Sequence, residues 1–334
     1  MRILVIGGNR FMGFQFVWRA LLAGHILTVV NRGSVPDPFR GRVEALVADR
    51  RSPAFAEAVR GRAFDAAVDF AAYGADDVTA MLDAFPAGAI GHYVMISTGQ
   101  VYLVREGCAW PAREGDYDGP VMSRPDDPRQ HGDWQYGVDK RAAEDLLDRA
   151  WQDGRLASTR LRIPMVNGER DPYRRLDAYL WRILDGGPLL LPAGGARRIR
   201  PVYSLDVADA ILALLGHADA FGQAYNLSQR EIVSVRELVE AIAARVGASP
   251  RIVPVAPSAL AGAGLEAAGL SPFDHAWSSL LDPSLAEARL GFAPTPFERY
   301  LDRIVAASWN RPDGAPPQSY AGRAAEIDLA GRLT

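Results

Sequence analysis

The chain has 334 residues, 49% of them hydrophobic and 23% charged, with a formal net charge of −3. That length suits about two domains with a large core, and that charge supplies no global basic field for nucleic acid or an anionic membrane. One cysteine, Cys108, excludes a disulfide framework or cysteine-rich metal site, and five scattered histidines show no ligand spacing, so no metal is expected. Cys108 reads as an inert thiol. No basic-then-apolar leader precedes the first strand and no apolar run approaches membrane length. The protein is therefore expected in the cytoplasm, with no nucleic-acid or membrane partner.

Residues 2–6 form an apolar run bounded by glycine, as a buried parallel strand should. Gly7-Gly8-Asn9-Arg10-Phe11-Met12-Gly13 follows, and then a helical pattern over 14–23. A strand, a glycine-rich turn and a helix aim free helix amides at a phosphate. Gly7 permits the tight turn and Gly13 the close packing of helix on strand. Strands are predicted over 26–30, ending in Asn31-Arg32-Gly33; 43–47, ending in Asp49-Arg50; 64–70, running into Ala71-Ala72-Tyr73; and 91–97. Helical patterns at 52–60 and 75–84 lie among them. The alternation predicts an α/β fold: a Rossmann-type doubly wound parallel sheet with its ligand at the strands' carboxyl ends, and a smaller C-terminal α/β substrate domain.

The fifth strand leads into Ser97-Thr98-Gly99-Gln100-Val101-Tyr102. Residues 103–134 are rich in Pro, Gly, Asp and Arg without periodicity, and read as a flap over the active site or as a disordered surface excursion. A helix over 135–152 places Tyr136 and Lys140 one turn apart on one face. An ammonium beside a phenol favours the phenolate, bringing a pKa near ~10 towards neutrality and fitting Tyr136 for proton transfer. Trp151 is assigned to the core. A sixth strand over 156–163 breaks at Pro164. Later elements are a helix at 173–185, a Gly/Pro-rich turn into Arg197–Tyr203, helices at 204–215 and 234–246, a strand at 224–227, and short proline-punctuated helices over 256–310. Trp181, Trp277 and Trp309 are assigned to the core, and 311–334 to a polar tail with a short helix at most. The clusters Arg170/Arg174/Arg175 and Arg197/Arg198/Arg200 read either as solvated faces or as sites for an anionic substrate. The predicted domains are 1–165, completed by about 198–227, and 166–197 with 228–310.

The segments "IGGNRFMG", "ISTGQVY", "YGVDK", "LRIPMVNGERD", "RPVYSLDVADAI" and "AYNLS" occur in an order that resembles the extended branch of the short-chain dehydrogenase/reductases, the nucleotide-sugar epimerase/dehydratase type, over about 1–310. The resemblance implies an oxidoreductase or epimerase exchanging hydride between a nicotinamide and a secondary alcohol or ketone. Tyr136 would be its acid/base, Lys140 would hold both the ribose and the tyrosine pKa, and Thr98, with Ser97 as fallback, would bond the substrate oxygen. Cofactor contacts would come from Gly7, Asn9, Arg10, Phe11, Met12, Gly13, Asn31, Arg32, Asp49, Arg50, Phe70, Ala71, Ala72, Tyr73, Ser97, Tyr136, Lys140, Ile163 and Pro164. Substrate contacts would come from Gln100, Met165, Asn167 and Arg200. A homodimer built on 75–84 and 135–152 is also implied.

The departures carry information. Arg10 replaces the middle glycine of the turn, a variant that resembles an atypical subgroup including chloroplast stem-loop RNA-binding proteins, so a non-catalytic nucleotide-sensing or RNA-binding protein is the alternative function. The acidic pair that dehydratases carry after the catalytic threonine is Gly99-Gln100 here. Met165 stands where hexose epimerases place an asparagine on the substrate diphosphate, and Ile199, flanked by Arg198 and Arg200, where an arginine is usual. A simple UDP- or dTDP-hexose is therefore not expected. Asn31 replaces the aspartate of NAD-preferring relatives and Arg32 follows it, which predicts NADP as cofactor, with NAD the alternative.

Overall fold

Ile3, Leu4, Val5 and Ile6 are buried on both faces of their strand because that strand is the middle of a covered parallel sheet. The structure, a computed structural model, describes residues 1–309 and 314–333; residues 310–313 and 334, to which the predicted short helices and tail extend, lie outside the described residues. The chain forms two compact units, Met1–Pro164 with Ser204–Ser228 and Ser279–Ala293, and Met165–Tyr203 with Gln229–Ser278 and Pro294–Thr334. Residues 279–293 thus lie in the first unit, although the sequence groups them with the second domain.

In the first unit, β1 (Arg2–Ile6) is followed by α1 (Phe11–Leu22), β2 (Ile26–Asn31), β3 (Glu44–Val47) and α2 (Pro53–Val59). Then come β4 (Ala66–Asp69), α3 (Ala75–Ala84), β5 (Tyr93–Thr98), the short α4 (Gln100–Leu103), α5 (Pro128–Gln152) and β6 (Ser158–Ile163). After the excursion through the second unit, α6 (Ser204–Leu214) and β7 (Ala224–Asn226) complete the sheet. Its order is β7-β6-β5-β4-β1-β2-β3 and every pairing is parallel. The strand order therefore reverses between β1 and β4, and a crevice opens at the carboxyl ends there. One face is filled by Phe55, Val78, Met81, Met95, Ala143 and Leu147 from α2, α3, β5 and α5. On the other, α1 packs against α6, and Phe16 and Val17 of α1 and Val207 and Ile211 of α6 are buried.

Among the described residues the second unit holds three two-stranded pairings: Val166–Asn167 with Val202–Tyr203, Arg198–Ile199 with Val233–Ser234, and Leu189–Pro192 with Ile252–Val255. Its helices include Arg175–Leu184, Val235–Arg245, Phe297–Trp309 and Arg323–Leu333.

Four expectations need correction. The polar tail holds the helix Arg323–Leu333, whose Leu329 and Ala330 enter the core. Two of its charges mislead because they are buried and paired: Glu326 Oε2 accepts from Arg182 Nε at 2.8 Å, and Arg323 Nε donates to Asp185 Oδ2 at 2.6 Å. The helix bearing Tyr136 and Lys140 begins at Pro128 rather than Gln135, proline being well tolerated in a first turn. Stretches of 103–134 are ordered, with Arg105 bridged to Val121 and Ala112 to Leu281, so the excursion is pinned and not wholly irregular. Trp151 and Trp309 are not core, being 38% and 56% exposed.

Candidate active site

The crevice beyond β1, β2 and β3 has a volume of about 600 Å³. Its walls carry Gly7, Asn9, Arg10, Phe11, Met12 and Gly13 from the turn, Asn31 and Arg32 from the end of β2, Asp49 and Arg50 from beyond β3, and Phe70, Ala71 and Tyr73 from beyond β4. Sequence reasoning missed Ser34, Val35, Arg51 and Asp77, which lie in the same walls. A Cβ at Gly13 would come within 2.5 Å of the Gly7 carbonyl oxygen, so only glycine lets α1 start this close to the turn. Arg10 replaces the middle glycine without strain because its backbone is extended, at φ −130°; Phe11 takes the positive φ instead. No acidic side chain occupies the first turn of α1, so its end presents uncompensated positive dipole to the crevice. Arg10 and Arg32 are exposed on this wall, and Asn31 Oδ1 accepts from Gly33 N at 2.8 Å, turning its oxygen onto its own backbone. A cradle of glycine, helix amides and two exposed guanidiniums fits a dinucleotide that carries phosphates.

Thr98 ends β5 half-buried, its Oγ1 accepting from Gln100 N at 3.3 Å. Tyr136 and Lys140 lie in α5. Lys140 is 2% exposed; its Nζ donates to the Ile96 carbonyl at 2.8 Å and sits 5.7 Å from the Tyr136 ring centroid and 5.4 Å from that of Tyr73. Burial lowers its pKa to about 8, against the opposing pull of Asp69 and Glu144. One signal in the composition singles it out: Lys140 is the only lysine among 37 lysines and arginines. A compact ammonium has a pKa that burial can tune, whereas a guanidinium does not deprotonate.

Two buried ionic knots hold these groups. Asp69, at the end of β4, receives Arg50 Nη2 at 2.9 Å, the Tyr93 hydroxyl at 2.6 Å and Ala71 N at 2.8 Å. Arg50 is therefore committed to Asp69 even though it borders the crevice. In the second knot, Arg162 on β6 donates through Nη2 and Nε to Glu144 Oε2 at 2.6 and 3.0 Å and through Nη1 to the Tyr102 hydroxyl at 2.7 Å. Burial pushes the Glu144 carboxyl up, but Arg162 outweighs it and holds it below the ordinary value. The Ser97 hydroxyl also donates to Glu144, which makes it a support for the helix rather than a group facing the crevice. Ala72, Ile163 and Pro164 are likewise buried and lie outside the crevice walls.

Gln100 is half-buried, with Nε2 on Asp133 Oδ1 at 3.2 Å. Met165, Asn167 and Arg200 belong to the second unit. Asn167 is buried, with Nδ2 donating to the Tyr300 hydroxyl at 3.4 Å, and Met165 is half-buried. Arg200 donates to the Gln229 and Arg230 carbonyls, both at 2.9 Å, so it braces backbone. Arg174, Arg175, Arg197 and Arg198 pair with Asp177, Asp171, Asp274 and Glu237. The two basic clusters are thus largely neutralised within their own unit. Among the described residues no group of acidic, histidine or cysteine side chains could hold a metal ion, and no helix is long and apolar enough to cross a membrane.

The sequence model of the NAD dependent epimerase/dehydratase family matches residues 3–228. The 2'-dehydrokanamycin reductase of Streptomyces kanamyceticus is 26% identical, covering 86% of this chain and 78% of that protein. The chloroplast stem-loop binding protein of 41 kDa b of Arabidopsis thaliana is also 26% identical, covering 75% of this chain and 65% of that protein. Among solved structures, UDP-glucose 4-epimerase of Thermotoga maritima superposes with a TM-score of 0.71 at 20% identity over 92% of this chain and 98% of its own. A dTDP-glucose 4,6-dehydratase of Bacillus anthracis in complex with NAD gives 0.73 at 19% identity, over 94% and 98%.

Proposed function

Because the chain belongs to the NAD-dependent epimerase/dehydratase family, we propose that it is an oxidoreductase acting on a secondary alcohol or ketone of a small molecule, with Tyr136, Lys140 and Thr98 as its catalytic residues. The observation that carries this reading is the chain's sole lysine, buried beside the Tyr136 ring and under the ring of Tyr73, which itself lines the glycine-cradled crevice. The nicotinamide dinucleotide, held by the turn and by the ends of β2 to β4, supplies hydride transfer. Tyr136 gives or takes the proton at the substrate oxygen, and Thr98 donates a hydrogen bond to that oxygen. Lys140, while protonated, favours the phenolate and orients the ribose. Dehydration is disfavoured by more than a missing acid. A Cβ at Gly99 would lie 2.0 Å from Ser279 Oγ, so Ser279 fills the space an acidic side chain would need at that position. The similarity to a reductase supports simple reduction over epimerisation.

Tyr136→Phe removes only the proton-carrying hydroxyl. Turnover should fall by about 10²–10⁴ while cofactor affinity holds. The assay is loss of reduced-nicotinamide absorbance across a panel of ketones, with cofactor binding measured by calorimetry. A Phe variant with wild-type kcat sinks the proposal.

A further inference from the structure

Tyr73 is 57% exposed at the lip of the crevice, yet its ring covers the most deeply buried cation of the site. Its centroid is 5.4 Å from Lys140 Nζ, nearer than the 5.7 Å of Tyr136, and the two rings lie 6.5 Å apart with planes inclined by 50°. The two rings therefore lie side by side against the ammonium, each within the range where a ring quadrupole attracts a cation. The backbone that carries the ring is anchored: Tyr73 N donates to Asp77 Oδ2 at 2.7 Å, and Asp77 is held in turn by Arg51 Nε at 2.8 Å.

We propose that Tyr73 is a positioning residue whose ring, by shielding Lys140 from water and offering it a π face, sets the charge of Lys140 and hence the proton-transfer competence of Tyr136. The inference rests on the catalytic assignment above. The other groups facing Lys140 are Asp69 at the end of β4, Arg50 beyond β3, Asp77 in α3, Glu144 and Tyr136 in α5, and the Ile96 carbonyl in β5. Asp69, Glu144 and Asp77 favour the ammonium, Arg50 opposes it, and burial opposes it most. Tyr73 thus acts in two opposed senses. As a lid it lowers the lysine pKa by keeping water out; as a π face it raises it. Replacements that separate the two senses should move the titration in opposite directions.

Because the chain has one lysine, ¹³C-lysine labelling gives a single side-chain resonance whose pH titration reads Lys140 directly. Tyr73→Phe keeps both lid and face, so the midpoint should stay at the wild-type value, near 8. Tyr73→Leu keeps most of the lid and loses the face, so the midpoint should fall by about 0.5–1.5 units. Tyr73→Ala opens the lid, so the midpoint should rise above that of the Leu variant. A Leu midpoint equal to or above wild type, or an Ala midpoint at or below that of Leu, overturns the proposal. The pH profile of kcat/KM separates its failure from that of the catalytic assignment. If the resonance shifts as stated and the alkaline limb of the profile shifts with it, both stand. If the resonance shifts and the limb stays, Tyr73 sets the lysine's charge and the role given to Lys140 fails.

Discussion

Glu144→Gln tests the buried knot behind the active site. Glu144 and Arg162 are 2% and 3% exposed, so removing the carboxylate charge leaves a guanidinium in low dielectric without its counter-ion. Breaking one side of such a pair costs about 3–5 kcal/mol. Here the lower end is expected, because Arg162 keeps the Tyr102 hydroxyl at 2.7 Å and the faces of the Tyr117 and Tyr102 rings at 4.3 and 5.1 Å. That is a large part of a total stability of about 5–15 kcal/mol. Urea unfolding should show a lower midpoint with an unchanged slope. Glu144→Met combined with Arg162→Met removes both charges and should recover most of the loss. The pH dependence adds a check. The folded-state pKa of Glu144 lies below its ordinary value of 4.5, so its contribution is complete above that value and lost as pH falls beneath it. The gap between wild type and variant should therefore narrow in acid. A Gln variant within about 1 kcal/mol of wild type at pH 7, or a double variant no more stable than the single, refutes this account.

Lys140→Met should be inactive yet more stable at pH 7. A pKa lowered from 10.5 to about 8 means the fold disfavours the ammonium by about 3 kcal/mol, offset in part by about 1 kcal/mol for its bond to the Ile96 carbonyl. That advantage should shrink between pH 8 and 10.5 as the native lysine loses its proton, and an advantage unchanged with pH would contradict it. Arg32→Ala should reduce any preference for NADP over NAD by at least about tenfold, the value of a charge-assisted phosphate contact of about 1.5–3 kcal/mol; a ratio of dissociation constants unaltered by the substitution removes Arg32 from that role. Gly99→Ala should cost about 1–3 kcal/mol through overpacking on Ser279, and Ser279→Gly should restore it in denaturant titrations.

The order of the fold was legible because each of its signals is local. An apolar run, a glycine turn and a helical period describe β1 and α1 without reference to the rest of the chain, and the same holds through β6. The spacing of Tyr136 and Lys140 is likewise local, since one helical turn places them on one face. The charges were not legible in this way. Arg50 and Asp69 stand at the ends of different strands, Glu144 and Arg162 on a helix and a strand, and Arg182 and Glu326 far apart in the chain, so their polar character gave no sign that each pair is buried. For the same reason Arg323–Leu333 read as a solvated tail, and nothing local showed that Arg200 donates to the Gln229 and Arg230 carbonyls. The sequence by itself determined the doubly wound sheet, the crevice at its switch point and the helix bearing Tyr136 and Lys140, because hydrophobic period and turn chemistry act over a few residues. Only the tertiary structure decided which charges are spent on one another, that Ser279 closes the space at Gly99, and that Tyr73 covers Lys140, because each depends on side chains that meet only once the chain has folded.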